Sequence, residues 1–258
     1  YGIFIRDVLH GNFGKSYIYG KPAMDLIFER MPATLELVAV AACLVLCIAI
    51  PLGVYAGAYP KRASSKLIMS GSILGISLPS FWVGMMMIYI FAVVLRLLPA
   101  SGRGNTVMVG NVALSIFAPG GIRYVILPAI TLALTNVATM LRLTRSGILE
   151  NMRQDYIKFA RAKGVPAKSI LFGHALKNAL IPVVTIFGMD LGNMIAFTTI
   201  TETIFAWPGM GKLLIDAINK SDRPIIVAYL MAAACMFVVL NFIVDILYTL
   251  IDPRIELR

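Results

Sequence analysis

Asp190, Asn193, Asn241 and Asp245 each interrupt a long apolar run. A polar or ionisable side chain costs several kcal/mol against lipid. These four are therefore expected to face the interior of a helix bundle, either lining a polar path or bonding between helices. Bond-breaking chemistry finds no comparable footing. An intramembrane hydrolase needs a Ser/His pair or matched carboxylates, but the two histidines, His10 and His174, lie outside the apolar runs. Gly209-Met-Gly211-Lys212 lacks both the hydroxyl residue after Lys and the earlier Gly of a phosphate-binding loop. The run Met85-Met86-Met87 points in successive directions around a helix, so it makes no soft-metal path. No cluster of His, Cys and carboxylate has metal-ligand spacing, and no metal or catalytic site is expected.

The elements that position these residues follow from composition. The 258 residues are 59% hydrophobic and 14% charged, and their mean hydropathy is +0.84. Soluble domains carry about 25% charged residues, so a soluble globule and a disordered chain are both excluded. Cys43 and Cys47 lie one helical turn apart, where a disulfide cannot close, and Cys235 is the third cysteine. A crossing helix needs about 20 apolar residues. Five stretches qualify: Ala33–Tyr59, Leu67–Leu98, Arg123–Leu141, Asn178–Thr201 and Pro224–Ile251. The expectation is thus an all-α polytopic membrane protein. Pro51 should kink the first span, and the overlong second span should tilt or break at Pro79. Gly71-x-x-x-Gly75 and Gly188-x-x-x-Gly192 offer small faces for close helix packing.

Charge sets the orientation. The connection after the first span, the connection after the third and the C-terminal tail together hold 13 basic and 4 acidic residues. The opposite side holds 10 basic and 6 acidic. The denser side, including the C-terminus, is expected to be cytoplasmic, with residues 1–30 outside. That placement already accounts for the net charge of +10, so no nucleic-acid partner is implied. An external start at Tyr1 leads to the expectation that an N-terminal helix precedes this chain.

Two connections carry patterning beyond charge. In the basic loop at about 146–177, Tyr156, Phe159, Ala160 and Lys163 share a helical face. Gly164 suits a helix end and Pro166 a new helix start, giving two short helices joined by a sharp elbow. Ala160, Ala162 and Gly164 would let a partner approach closely; anchoring to anionic lipid is the simpler alternative. At the outer end of the fourth span, Glu202 is followed by Trp207-Pro208-Gly209-Met210-Gly211. Trp207 is explained equally well as an interfacial anchor. The Pro-Gly-x-Gly backbone requires a protein-lined or water-filled setting.

These stretches resemble the membrane subunits of ATP-binding-cassette importers, specifically the first-permease type of the dipeptide/oligopeptide/nickel branch. The general family loop is matched at Ala160, Gly164 and Leu176. The branch's own wording is matched by Ala160-Arg-Ala-Lys-Gly164 and by His174-Ala-Leu-Lys-Asn-Ala-Leu-Ile-Pro182. Further agreement lies in Gly11-Asn-Phe-Gly14, Arg30-Met-Pro32-Ala-Thr34, Arg142-Leu-Thr-Arg145, Thr201–Gly211 and Asn241-Phe-Ile-Val-Asp245.

The resemblance implies six spans in the family, five of them here, in a type I importer permease fold. Residues 1–30 would form an external segment, and 31–258 the transmembrane domain. It implies half of a translocation pathway, completed by a second homologous permease. Two ATPase subunits would bind the ATP and Mg that this chain does not, and an extracytoplasmic solute-binding protein would deliver cargo. The location would be the inner membrane of a prokaryote. Phe159, Ala160, Ala162, Gly164, Val165 and Leu176 would lie near the ATPase contact, with Lys158, Arg161 and Lys163 on its rim. Glu202, Trp207, Pro208, Gly209 and Gly211 would form an external gate or binding-protein docking face. Peptides are the expected cargo, with nickel chelates or glutathione as alternatives. An ATP-independent carrier is a further alternative, but the spans show no convincing repeat.

Overall fold

The computed structural model describes residues 6, 11–110 and 112–251, the side chains of Asp245 and 247–251 excepted. Helix α1 (Ala23–Ala58) is followed by α2 (Ala63–Ser77), α3 (Ser80–Val94) and a small hairpin, β1 (Val107–Val109) and β2 (Val112–Leu114). Then come α4 (Ile122–Asn151), α5 (Asp155–Ala162), α6 (Ala167–Ile204), α7 (Met210–Asn219) and α8 (Arg223–Ile251). Four helices are long and apolar enough to cross a membrane, and α2 with α3 supplies a fifth if counted as one broken span.

The break falls where proline chemistry puts it. Leu78, which precedes Pro79, is extended (φ −88°, ψ 130°), and its N–H still bonds back to the Leu74 carbonyl. A residue before proline is pushed out of the α region, so α2 stops and α3 restarts at Ser80. Pro51 behaves differently, because α1 continues through it as one unbroken helix. The hairpin departs from a purely helical fold. Val107↔Leu114 and Val109↔Val112 pair across Gly110-Asn111, a dipeptide suited to a two-residue turn, with Gly110 at φ 62°. Helix α4 outruns the expected third span by ten residues, so Arg142, Arg145 and Glu150 sit on a helix and not in a loop.

Contacts divide the chain into two units. The first comprises 1–41, 80–132 and 192–239; the second comprises 42–79, 133–191 and 240–258. Every described residue assigned by charge to the outer side belongs to the first unit, and every one assigned to the basic side belongs to the second. Helices α1, α4, α6 and α8 each give a stretch to both.

Within the first unit, Ile27 of α1, Met210 and Leu213 of α7, and Ile225 and Tyr229 of α8 form one buried cluster. Ser16 and Asp222 add a buried polar tie: the Ser16 hydroxyl and the Tyr17 and Ile18 N–H groups all donate to the Asp222 carboxylate. This fixes Ser16–Ile18 beside the start of α8. Gly192 belongs here too, since a Cβ on it would lie 2.6 Å from the Phe237 ring of α8.

Within the second unit, Val54, Ile148, Ile157, Ile170, Ala175 and Ala179 form the buried cluster. Helices α1 and α4 meet there backbone to side chain: a Cβ on Gly53 would fall 2.6 Å from Thr144, and one on Gly57 2.7 Å from Ile148. Gly188 is as tight against Val244, at 2.1 Å. Both glycines of the Gly188-x-x-x-Gly192 motif are thus closely packed. Gly71 has nothing within 4 Å and Gly75 only ordinary contacts, so the α2 motif makes no such seam in this chain. Cys43, Cys47 and Cys235 are all exposed and unpaired.

Candidate functional site

Two constellations emerge, one in each unit. In the first, the C-terminus of α6 is closed by bonds from Trp207 N–H to the Glu202 carbonyl (2.8 Å) and from Ala206 N–H to that of Thr203 (3.3 Å). Ala206 holds the left-handed conformation, φ 47°, the position usually given to glycine at a helix end. The chain then doubles back over Glu202, whose side chain is fully buried. The Glu202 carboxylate accepts from the Thr34 hydroxyl (2.7 Å) and from Lys212 N–H in the first turn of α7 (2.9 Å). Thr34 Oγ1 in turn accepts from Met210 N–H (2.9 Å). A buried carboxylate is tolerable only when its lone pairs are satisfied, and the helix N-terminus supplies both donors and a favourable dipole.

The glycines explain why the turn is written Pro-Gly-x-Gly. A Cβ on Gly209 would lie 2.2 Å from Glu202 Oε1, and one on Gly211 2.5 Å from Thr199 Oγ1. Gly209 permits close approach to the carboxylate and Gly211 close approach to α6 at Thr199; neither has a positive φ. For Trp207 the structure removes one of the two readings. The residue is fully buried, and its Nε1 donates to the Ala33 carbonyl at 2.8 Å, so it is a core residue and not an interfacial anchor. The indole is enclosed because α1, the α6–α7 turn and the Arg103 guanidinium, 5.6 Å from its ring centroid, surround it.

A second carboxylate in this unit escaped the sequence reading. Glu36, also buried, accepts from Arg103 Nε (2.9 Å), Ser115 N–H (2.7 Å) and Ile116 N–H (2.6 Å). Arg103 Nη2 also donates to the Ala113 carbonyl at 2.6 Å. Helix α1 thus clasps the hairpin loop. One signal was available: Glu36 is an acid inside a span, and Arg103 lies in a loop containing no acid at all. Pro208 is half-buried between Trp207 and Gly209.

The second constellation is the elbow. Helix α5 ends at Ala162, Gly164 takes φ 79°, Val165 N–H bonds to the Ala160 carbonyl (3.2 Å), and Pro166 precedes α6. Its faces divide sharply. Ile157 is fully buried, and Ala160, Val165 and Leu176 pack against the same cluster. Phe159 is 63% exposed, and Arg161, Ala162, Lys163 and Gly164 are exposed with it. Lys163 Nζ lies 4.5 Å from the Phe159 ring centroid. Lys158 bonds to Asp155 at 2.8 Å and holds that exposed carboxyl below its ordinary range. The structure therefore separates two roles within the predicted set: an inward anchor and an outward apolar-basic ridge. Tyr156 ties the elbow to its neighbours, donating to Asn151 Oδ1 (2.8 Å) and accepting from Asn178 (3.0 Å).

The intramembrane polar residues are less uniform than expected. Asp190 and Asn241 are half-buried, but Asn193 is exposed on α6. Among the described residues, none encloses Asn193. Asp245 lies outside the described side chains. No metal-competent cluster of His, Cys, Asp and Glu occurs among the described residues.

Residues 49–257 match the family described as binding-protein-dependent transport system inner membrane component. The chain belongs to this family. Among its relatives, the oligopeptide transport system permease protein AppB of Bacillus subtilis (strain 168) is 40% identical, the alignment covering 98% of this chain and 78% of that protein. The dipeptide transport system permease protein DppB of Alkalihalophilus pseudofirmus is 37% identical over 99% of this chain and 80% of its own length. Among solved structures, the MetNI methionine ABC transporter in an inward-facing conformation superposes with a TM-score of 0.68 at 16% identity, covering 89% of this chain and 97% of that one. An amino acid ABC transporter gives 0.56 at 14% identity, covering 90% and 94%. At these identities the structural likeness speaks to fold, which is that of the type I importer permeases. This chain is therefore a multi-pass permease component, with its elbow and its buried-carboxylate turn on the family scaffold.

Proposed function

We propose that this permease forms half of the pathway of an ATP-driven importer for di- and oligopeptides. The observation that carries the reading is the 35–40% identity, along nearly the whole chain, to permeases named for dipeptide, oligopeptide or di/tripeptide transport. A second homologous permease completes the pathway, two ATPase subunits hydrolyse ATP, and a solute-binding protein delivers the peptide. The basic side, with the C-terminus, is cytoplasmic. There the ridge of Phe159, Ala162 and Gly164, rimmed by Lys158, Arg161 and Lys163, enters a groove on the ATPase, as an apolar helix face enters an apolar groove. On the outer side, Glu202, Trp207, Pro208, Gly209 and Gly211 set the shape of the gate or of the binding-protein docking face. Asp190, Asn193, Asn241 and Asp245 contribute polar wall.

ATP can shift the spans only through differential affinity for the two states, so the elbow must transmit a rigid displacement. Its buried anchor, centred on Ile157, gives it a fixed seat in its own unit. The deciding experiment is uptake of labelled di- and oligopeptides into proteoliposomes containing the assembled importer and its binding protein. ATP-dependent accumulation is expected. Accumulation driven by an ion gradient without ATP would overturn the reading.

A further inference from the structure

An apolar groove in the second unit backs onto the elbow's anchor, sharing Val54, Leu171 and Leu176 with it, but its open side is not used by the transport reading. It lies where the end of α1 meets the start of α6 and has a volume of about 460 Å³, within the usual range of small-molecule sites, about 300–1,000 Å³. Ile50, Val54, Tyr55, Tyr59, Leu171 and Phe172 form most of its wall. The α6 side of that wall belongs to a π-helical stretch, Ile170–Ala175. Such widened turns concentrate at functional sites.

The charge on the groove's described lining is of one sign. Lys168 is the only charged residue in the described lining. The Arg62 guanidinium stacks 4.2 Å from the centroid of the Tyr59 ring, placing a second cation beside the wall. Lys61 and Lys66 flank Arg62 in sequence, and no acidic residue occurs between Glu36 and Glu150 or between Asp155 and Asp190. Those intervals contain every lining residue except Met152, so no carboxylate of the wall competes for these cations. An occupant must therefore pair an apolar body with an anionic end. A peptide fits poorly, since the described lining has no carboxylate to pair with its ammonium.

We propose that this groove holds one acyl chain of an anionic phospholipid, with its phosphate paired to Lys168 and Arg62. The inference rests on the reading above only in placing this end of α1 at the basic membrane surface. Basic sites between spans at that surface select anionic head groups.

The test is native mass spectrometry of the intact importer complex, released from mild detergent after exposure to phosphatidylglycerol or to phosphatidylcholine of the same chains. Wild type is expected to retain phosphatidylglycerol and to release phosphatidylcholine. Lys168→Glu, at an exposed position, should lower retention about tenfold. Ala58→Trp, which fills the groove, should abolish it. Equal retention of the two lipids by wild type, or unchanged retention in Lys168→Glu, overturns the proposal. So does a cross-link from Phe172→Cys to a partner subunit, which would make the groove a protein interface. Retention is read without peptide or ATP, so a complex that binds the lipid but fails to import peptide would count only against the transport reading.

Discussion

Glu36 and Glu202 show how much of this fold hangs on single buried carboxylates. Removing one partner of a buried ion pair leaves an uncompensated charge and costs about 3–5 kcal/mol. Arg103→Ala should therefore lower the thermal midpoint of the purified complex sharply by abandoning Glu36. Replacing both residues with leucine should recover part of the loss, because two apolar side chains need no partner. If the double variant is no more stable than the single one, the clasp is not an ion-pair effect. Gly209→Ala should be as damaging as many core truncations, since its Cβ would meet Glu202 Oε1 at 2.2 Å. Expression of folded Gly209→Ala at the wild-type level would disprove that account. The residue types at this turn were readable from the chain alone; their reasons were not. Glu202, Gly209 and Gly211 stand together in sequence, whereas Thr34 and Ala33, which complete the network, come 168 and 174 residues earlier than the groups they bond. Pairing over such distances is a property of the fold, and no local pattern announces it.

At the level of elements, the spans were legible because a lipid-crossing helix writes its length directly into hydropathy. Their ends were not. Helix α4 continues through Arg142 and Arg145 because charged, straight-chain residues are good helix formers once they leave the bilayer. The hairpin at Val107–Leu114 has alternating β-formers and a Gly-Asn turn, a short signal easily lost beside spans of 20 and more residues. The elbow was legible because glycine and proline punctuate it. Its buried anchor was not, since Ile157 falls off the face that Tyr156, Phe159 and Ala160 suggest. This division yields two separable outcomes. Gly164→Trp, at an exposed position with φ 79°, should leave membrane insertion intact yet uncouple ATP hydrolysis from peptide uptake. Ile157→Ala should instead destabilise the unit by about 2–5 kcal/mol, read as a lowered thermal midpoint. Normal substrate-stimulated uptake in vesicles carrying Gly164→Trp would sink the coupling role. Gly57→Leu should prevent folding altogether, because α1 has no room to move away from Ile148 without losing the seam at Gly53; a normally assembled Gly57→Leu complex would contradict that seam.

For the whole molecule, the agreement between charge and contact is the broadest lesson. The two sides read from the placement of lysine, arginine and the acids coincide with the two contact units, although the contacts know nothing of a bilayer. Asn193 marks where that agreement stops: it is a polar group left exposed on a largely apolar span. The three cysteines have a practical corollary. Cys43, Cys47 and Cys235 are unpaired and exposed along apolar helices, where water-borne maleimides have little access. The unmodified permease should therefore be nearly silent to such reagents in intact membranes. A single thiol introduced at the elbow or at the outer turn could then be footprinted from either side of the membrane without first stripping the native ones.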